Sequence, residues 1–308
     1  MPSTIDFIGD VHGRARDLER LLQKLGYRHA QGAWRCSSRM AIFVGDLVDR
    51  GPEQFRTVDI VRRMRDAGSA LCVMGNHEHS AIGWVTPDPN KPGEFCRPHK
   101  SYNQKIHEAF LLEGQAQPQL YRELVDWMRT LPVLLEIQGV RVAHACWDER
   151  HTPLVKAAQT QDGALSSDAL LDSLTQGTPL HTACEVVMKG PEAHLRDEHA
   201  YVDHLGKRRQ EVRIAWWDPR RRLRDVALPM PGLNVEALPD VVLPEEQYPK
   251  LSRSHLHIVG HYWMRGAPTP LLPNAISVDY SGDPYLPMTA YCWQGEQVFQ
   301  AEHFVQVI

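Results

Sequence analysis

The chain has 308 residues, 43% of them hydrophobic, and a formal net charge of −4. That is enough apolar material for a sizeable buried core, as one large domain or two small ones. The slightly acidic balance excludes a broad electrostatic attraction to nucleic acid or to an anionic membrane. Cys36, Cys72, Cys96, Cys146, Cys184 and Cys292 are scattered, with no C-x-x-C pair, which reads as reduced thiols rather than a disulfide framework or zinc ribbon. The N-terminus lacks the basic and apolar regions of a secretory signal, and no apolar run reaches the roughly 18 residues of a spanning helix. The expectation is a soluble cytoplasmic protein.

Residues 5–8 form a short apolar run that stops at Gly9-Asp10, as a buried strand ending in a loop does. Leu18, Leu21, Leu22 and Leu25 then recur at amphipathic-helix spacing, with Gly26 as the C-cap. A second strand is predicted over 40–44, stopping at Gly45-Asp46, then a helix over 53–67. A third strand over 70–74 stops at Gly75-Asn76. This repeated β-loop-α order predicts a parallel sheet with helices outside. Residues 86–98 read as a loop, before helices near 100–113 and 120–129. Residues 133–137 and 140–144 predict a strand pair turned at Gln138-Gly139. From 146 to 250 the pattern is weaker, with helical patches, a strand-like stretch at 212–217 and a proline-rich irregular stretch at 228–249. Strands resume over 256–260, 275–279, 288–293 and 298–304. The expected organisation is one domain over 1–308, with a core of 1–147 and 253–308 and an insertion or cap at 148–252.

Ligands of open α/β sheets bind at the carboxyl ends of strands. Each of the first three strands ends there in a glycine followed by a metal-capable residue. The segments are Gly9-Asp10-Val11-His12-Gly13, Gly45-Asp46-Leu47-Val48-Asp49-Arg50-Gly51 and Gly75-Asn76-His77-Glu78, joined by His144 and His261 at later strand ends. Hard oxygen donors mixed with imidazoles suit Mn²⁺, Fe or Zn²⁺ and not a soft thiolate site. Two such ions can hold phosphoryl oxygens, offset the charge of a phosphate ester and lower the pKa of a shared water. An imidazolium can give the leaving oxygen its proton, and a guanidinium can clamp the phosphoryl group.

These segments resemble the G-D-x-H-G, G-D-x-V-D-R-G and G-N-H-E motifs of the calcineurin-like metallophosphoesterase superfamily. The V-D-R-G form is most similar to the phosphoprotein phosphatase branch, with its bacterial and phage serine/threonine phosphatases and the related diadenosine tetraphosphatases. The resemblance covers the N-terminal half and the segment around His261. It implies an α/β fold, a four-layer αββα sandwich with an inserted middle region, and two divalent metal ions, Mn²⁺ first with Fe or Zn²⁺ as alternatives. It further implies Asp10 and His12 on the first ion, Asp46 bridging, and Asn76, His144 and His261 on the second. His77 would serve the leaving group, oriented by Asp49, with Arg50 on the phosphate and Glu78 supporting the ligands from behind. The attacking species would be a metal-bridging hydroxide. Two departures stand out. Gly260-His261 is followed by Tyr262-Trp263, so the last histidine of the common G-H-x-H motif is missing, as it is in the phosphatase branch. Ala145-Cys146-Trp147 replaces the small, glycine-containing run usual in protein phosphatases, which puts the substrate in doubt.

The expected function is a metal-dependent phosphomonoesterase acting on phosphoserine/phosphothreonine proteins or small phosphorylated metabolites. The alternative is a dinucleoside-polyphosphate pyrophosphohydrolase or nucleotide phosphodiesterase. The partner is thus a phosphorylated protein, metabolite or nucleotide, with no membrane and no nucleic acid. A non-enzyme reading is a phospho-ligand binding protein on a dead fold, and the full ligand set argues against it. Cys146 reads as a small buried residue, Tyr262 and Trp263 as core rather than a base-stacking pair. The basic runs Lys207-Arg208-Arg209 and Arg220-Arg221-Arg222 with Arg224 read as solvated faces. Lys189 and Arg97 are candidates for a further phosphate contact that spacing alone does not support.

Overall fold

The computed structural model describes residues 2–282 and 285–308. In chain order the first half runs β1 (Thr4–Ile8), α1 (Ala15–Lys24), β2 (Arg28–Ala30), β3 (Ala33–Arg35), β4 (Arg39–Phe43), α2 (Gln54–Asp66), β5 (Ala70–Cys72), α3 (Asn76–Val85), α4 (Ser101–Ala116), α5 (Pro118–Met128), β6 (Leu134–Ile137) and β7 (Val140–Ala143). The second half runs α6 (Thr152–Ala158), α7 (Ser167–Leu174), α8 (Pro179–Lys189), β8 (Glu192–His194), β9 (Tyr201–Val202), β10 (Arg208–Arg209), β11 (Glu211–Arg213), α9 (Leu223–Val226), β12 (Leu256–Val259), β13 (Ala275–Ser277), β14 (Met288–Trp293) and β15 (Phe304–Val307).

Two sheets face each other. The first has the order β15-β14-β1-β4-β5, with β1, β4 and β5 parallel. The second has the order β13-β12-β7-β6, with β13, β12 and β7 parallel. Alternation along the strands builds the layers. Ile5 and Phe7 of β1 meet Val140, Val142 and Ile258 between the sheets. Ile8 and Asp6 face the other way, where Ile8 joins the leucines of α1 and Asp6 accepts from Tyr27 and Arg39. Helices cover the outer face of the first sheet, and α6 and α8 cover the β6–β7 side of the second. Trp216 and Tyr262 cover its β12–β13 side. The result is the four-layer αββα sandwich of the metallophosphoesterase fold.

Helices α6, α7 and α8 contribute Val155, Leu170, Val187 and Met188 to the main core. By contrast β8, β11 and α9 close on a small core of their own, formed by Ala193, Leu195, Val212, Ile214, Leu223 and Val226. Among the described residues no helix is long and apolar enough to cross a membrane.

Three sequence expectations change. Residues 76–85 form helix α3, which the strand-end motif conceals because its first turn is made of the polar Asn76-His77-Glu78. The strand expected over 212–217 stops at Arg213, because Trp216 turns inward to donate its indole N–H to the Tyr262 hydroxyl at 2.7 Å. The strand expected over 298–304 begins only at Phe304. Phe299 is anchored between the sheets, its N–H on the Pro273 carbonyl, and a turn follows before pairing resumes.

Candidate active site

Five strands deliver polar residues to one rim. β1 leads into Asp10 and His12, β4 into Asp46, β5 into Asn76 and His77, β7 into His144, and β12 into His261. Close approach of the loops requires two of the motif glycines. A Cβ at Gly75 would lie 2.3 Å from Asp46 Oδ1, and one at Gly260 would lie 2.3 Å from Asp10 Oδ1. The loops are also locked by backbone bonds, with the Val11 and His12 N–H groups on the Asp46 carbonyl and Gly260 N–H on that of His144.

Asp46 Oδ2 is the centre. His144 Nε2 lies 3.2 Å from it, His12 Nε2 3.7 Å and His77 Nε2 3.7 Å. His12–Asp46–His77 and Asp46–His144–His261 are each compact enough to share a metal ion. Asn76 Oδ1 is 3.1 Å from His144 Nε2. Asp10 lies 3.9 Å from His12 Nε2 and accepts the His261 N–H at 3.2 Å. His12 Nδ1 faces the Val48 carbonyl at 2.8 Å and His144 Nδ1 the Val44 carbonyl at 2.7 Å, so each ring turns Nε2 inward. The buried His12 Nε2 and His261 Nε2 have no hydrogen-bond partner among the described residues. Such orphaned imidazole nitrogens beside carboxylates fit divalent cations.

Electrostatics points the same way. Burial, then Arg50 and His77, hold His12 well below its ordinary pKa, so it stays neutral. Burial, then Arg213 and His144, do the same to His261. His144 moves up to about 10, since Asp46 and Asp10 outweigh its burial. Asp46 stays ionised despite burial, held down by His144 and His77. Burial and the neighbouring Asp279 push Asp10 up. His12 and His261 are thus neutral beside an ionised Asp46, the protonation state a metal needs, whereas His144 holds a proton that a bound cation would displace.

Behind this centre Glu78 is fully buried and accepts three backbone N–H groups, from Asp46 and Leu47 at 2.8 Å and Gly75 at 2.9 Å. Asp49 Oδ2 is 2.5 Å from His77 Nδ1, and its other oxygen is 2.6 Å from His107 Nδ1. Although burial raises the Asp49 pKa, His107 and His77 bring it well below the ordinary range. Arg50 is exposed, with its guanidinium 4.6 Å from the Trp263 ring centre.

Two residues here carry no sequence motif. His107 enters from α4 and would have been visible only as a histidine among the buried positions of that helix. Arg213, at the end of β11, stands 5.5 Å from the centre of the same Trp263 ring, and its Nη1 is 3.4 Å from the His261 carbonyl. Of the other singled-out residues, Cys146 and Tyr262 are buried, and Trp263 is half-buried with both arginines near its ring. The 220–224 run is a solvated face, with Arg220 on Asp218, Arg221 on Glu245 and Arg222 on Asp240.

Backbone strain collects at the rim. His12, Asp46, Asp49, Arg50, His261 and Trp263 all have positive φ, against only Gln31, Gln138 and Leu286 elsewhere among the described non-glycine residues. Each such residue costs on the order of 1–3 kcal/mol and persists only where its surroundings hold it.

The family model for calcineurin-like phosphoesterases matches residues 3–173. The asymmetrical bis(5'-nucleosyl)-tetraphosphatase of Oceanobacillus iheyensis is 43% identical over 179 residues, 57% of this chain and 69% of that relative. A symmetrical bis(5'-nucleosyl)-tetraphosphatase of Shewanella putrefaciens is 29% identical over 214 residues, 65% of this chain and 69% of that relative. Among solved structures, a cold-active protein-tyrosine phosphatase from a psychrophilic Shewanella superposes with a TM-score of 0.51 at 14% identity, covering 97% of this chain and 81% of that one, a likeness of fold alone.

Proposed function

The chain belongs to the calcineurin-like phosphoesterase family and is a metal-dependent phosphoric ester hydrolase, and from that premise we propose that it hydrolyses a dinucleoside polyphosphate. The observation that carries this reading is the likeness to the Oceanobacillus iheyensis tetraphosphatase, which extends over most of that relative's length. It favours an anhydride substrate over the phosphomonoester that the motifs alone make the first expectation.

Asp10, His12 and Asp46 would hold one divalent ion, and Asp46, Asn76, His144 and His261 the other, with Mn²⁺ the first candidate. When bound, the pair offsets phosphate charge and makes water a competent nucleophile near neutral pH. The protein's own groups do the rest. Arg50 pairs with no carboxylate among the described residues and binds the phosphoryl oxygens of the group under attack, with Arg213, beside the same Trp263 ring, contacting the same or the next phosphate. Water attacks phosphorus, the P–O bond to the departing nucleotide breaks, and His77 Nε2 stands ready to give that oxygen a proton. Asp49 fixes the His77 ring, while His107 fixes Asp49. Glu78 keeps the Asp46 loop from relaxing.

The test is turnover of diadenosine tetraphosphate by Mn²⁺-loaded protein, beside a phosphoserine peptide and p-nitrophenyl phosphate, with Asp46→Asn as the contamination control. The expected result is a kcat/KM for the dinucleotide at least about a hundredfold above either monoester, a gap worth about 2.7 kcal/mol. Products report the cleaved bond, two ADP for symmetrical and AMP with ATP for asymmetrical hydrolysis. Preference for either monoester would return the reading to a phosphomonoesterase.

A further inference from the structure

Tyr262 and Trp263 are consecutive aromatics on the loop after β12, and the fold turns them apart. Tyr262 goes into the core, where its hydroxyl donates to the Ala145 carbonyl at 3.0 Å and accepts the Trp216 indole N–H. Trp263 is half-buried and joins none of the apolar clusters formed by the described residues, which departs from the core role expected of both. Its ring instead carries two cations. The Arg50 guanidinium lies 4.6 Å from the ring centre and that of Arg213 lies 5.5 Å from it. Among aromatic side chains, indole makes the strongest cation–π contact.

The backbone under this ring is held firmly. Trp263 has a φ of 51°, a left-handed conformation that a bulky side chain rarely adopts. Its N–H donates to Asp279 Oδ2 at 2.8 Å, and the Met264 N–H donates to the Asp279 carbonyl at 3.0 Å. Asp279 is itself fixed by the Ser281 hydroxyl at 2.6 Å. Gly282 packs so closely on the Trp263 carbonyl that a Cβ would not fit. A strained residue persists only where its surroundings impose it, and here they aim the ring at the rim. Arg50 makes no hydrogen bond and no ion pair among the described residues, so the indole ring is what holds it. Arg213 has two holds on the same loop, the ring and the His261 carbonyl, to which its Nη1 donates at 3.4 Å. Glu192 lies opposite Arg213 on β8 but forms no ion pair with it. Both guanidinium groups belong to segments that build the centre, since Arg50 follows the Asp49 that holds His77, and Arg213 rests on the loop of His261.

We propose that Trp263 is a positioning residue whose indole ring holds Arg50 and Arg213 as a preorganised pair, ready to receive the phosphoryl group at the Asp46 centre. Long side chains lose rotamer freedom when they bind a ligand, and holding them beforehand removes that cost from substrate binding. The negative face of the ring also offsets the repulsion of two cations brought near each other. The proposal rests on the phosphate roles given above to Arg50 and Arg213. It does not depend on which group follows the phosphate, because every phosphoester presents the same oxyanion.

The test is equilibrium binding of inorganic orthophosphate, read by calorimetry in Mn²⁺-loaded protein at buffered free metal. Trp263→Leu is expected to weaken orthophosphate binding by about tenfold. Trp263→Phe keeps an aromatic face and should stay within about threefold of the wild type. A residue that acts through Arg50 loses its effect once Arg50 is gone, so Trp263→Leu should cost less than about twofold in an Arg50→Gln background. Mn²⁺ affinity should stay within about twofold throughout, whereas a collapsed His261 loop would lower it by about 10–100-fold. Circular dichroism identifies a variant that fails to fold, and Trp263→Gln then takes the place of Trp263→Leu. Failure of both to fold would make the residue structural and overturn the proposal. So would a wild type without measurable orthophosphate binding, unchanged affinity in Trp263→Leu, equal losses in Trp263→Leu and Trp263→Phe, a loss that persists in full without Arg50, or Mn²⁺ affinity that falls in step. The expected pattern in a protein that leaves diadenosine tetraphosphate intact would keep the role of Trp263 and overturn the substrate reading alone.

Discussion

His77 and Gly260 carry the sharpest consequences at the scale of single residues. A departing nucleoside phosphate is stable as an anion, whereas a serine alkoxide is not, so proton donation by His77 matters most for the alkyl ester. His77→Asn should lower kcat by about 10²–10⁴ on a phosphoserine peptide and by distinctly less on diadenosine tetraphosphate. Equal losses on both would remove His77 from the leaving-group side. Gly260→Ala places a methyl group 2.3 Å from Asp10 Oδ1 and 2.6 Å from Val44 Cγ2. The expected outcome is Mn²⁺ affinity lower by about 10–100-fold in a folded protein, read by metal titration, as when the groups that orient a ligand are displaced. The motif residues were legible in the sequence because five of them follow strand ends, where side chains from distant segments must converge. His107 and Arg213 were not, because each is one residue in a run with no period of its own, and only the third dimension brings it to Asp49 or Trp263.

Elements hold these residues through their ends. The first turn of α2 donates from Gln54 and Phe55 N–H to Glu113 of α4, at 2.7 and 2.8 Å. Gln54 Oε1 in turn accepts the Asp49 N–H at 2.6 Å. Glu113→Ala uncaps α2 and should cost about 1 kcal/mol, seen as a lower urea midpoint at unchanged slope. The β9–β10 turn is fixed by Asp203, which accepts from Lys207 and Leu205 N–H, Arg209 and the Tyr102 hydroxyl of α4. Burial raises the Asp203 pKa, but these bonds bring it down to about 2 from an ordinary 3.8. A carboxylate depressed by folding contributes stability above its unfolded pKa and loses it as pH falls through the folded one. Hydrogen-exchange protection of this turn should therefore fall between roughly pH 4 and pH 2, and Asp203→Asn should show weak protection across the range. Helix α3 escaped the sequence reading because the polar residues of its first turn read as a site rather than a helix start. The strand over 304–307 was displaced in that reading by the buried Phe299, whose apolar neighbours mimic a strand.

At the scale of the whole molecule, the centre also joins the two sheets. His144 comes from the second sheet and points its Nδ1 at the Val44 carbonyl of the first, and His261 N–H meets Asp10 across the same seam. Divalent ions bound there would tie the folded state together, so metal at about a hundred times its Kd should add about 2.7 kcal/mol of stability. The melting temperature should fall by several degrees on chelation, recover with Mn²⁺, and not respond to metal in Asp46→Asn. A parallel sheet with helices outside was readable from strand–helix alternation, and the αββα layering from the resemblance of the motifs, while the small core of β8, β11 and α9 was not, because its apolar residues are too few and too dispersed to show a period. The left-handed backbone at six rim residues has one more consequence, for anyone seeking a hardier version of this protein. Glycine relieves such strain, yet at His12, Asp46, Asp49 or His261 it would erase the side chain that gives the rim its purpose. At the exposed turn residue Gln31 it erases nothing. Thermal tolerance can therefore be raised at the periphery, while the rim stays the least improvable part of the chain.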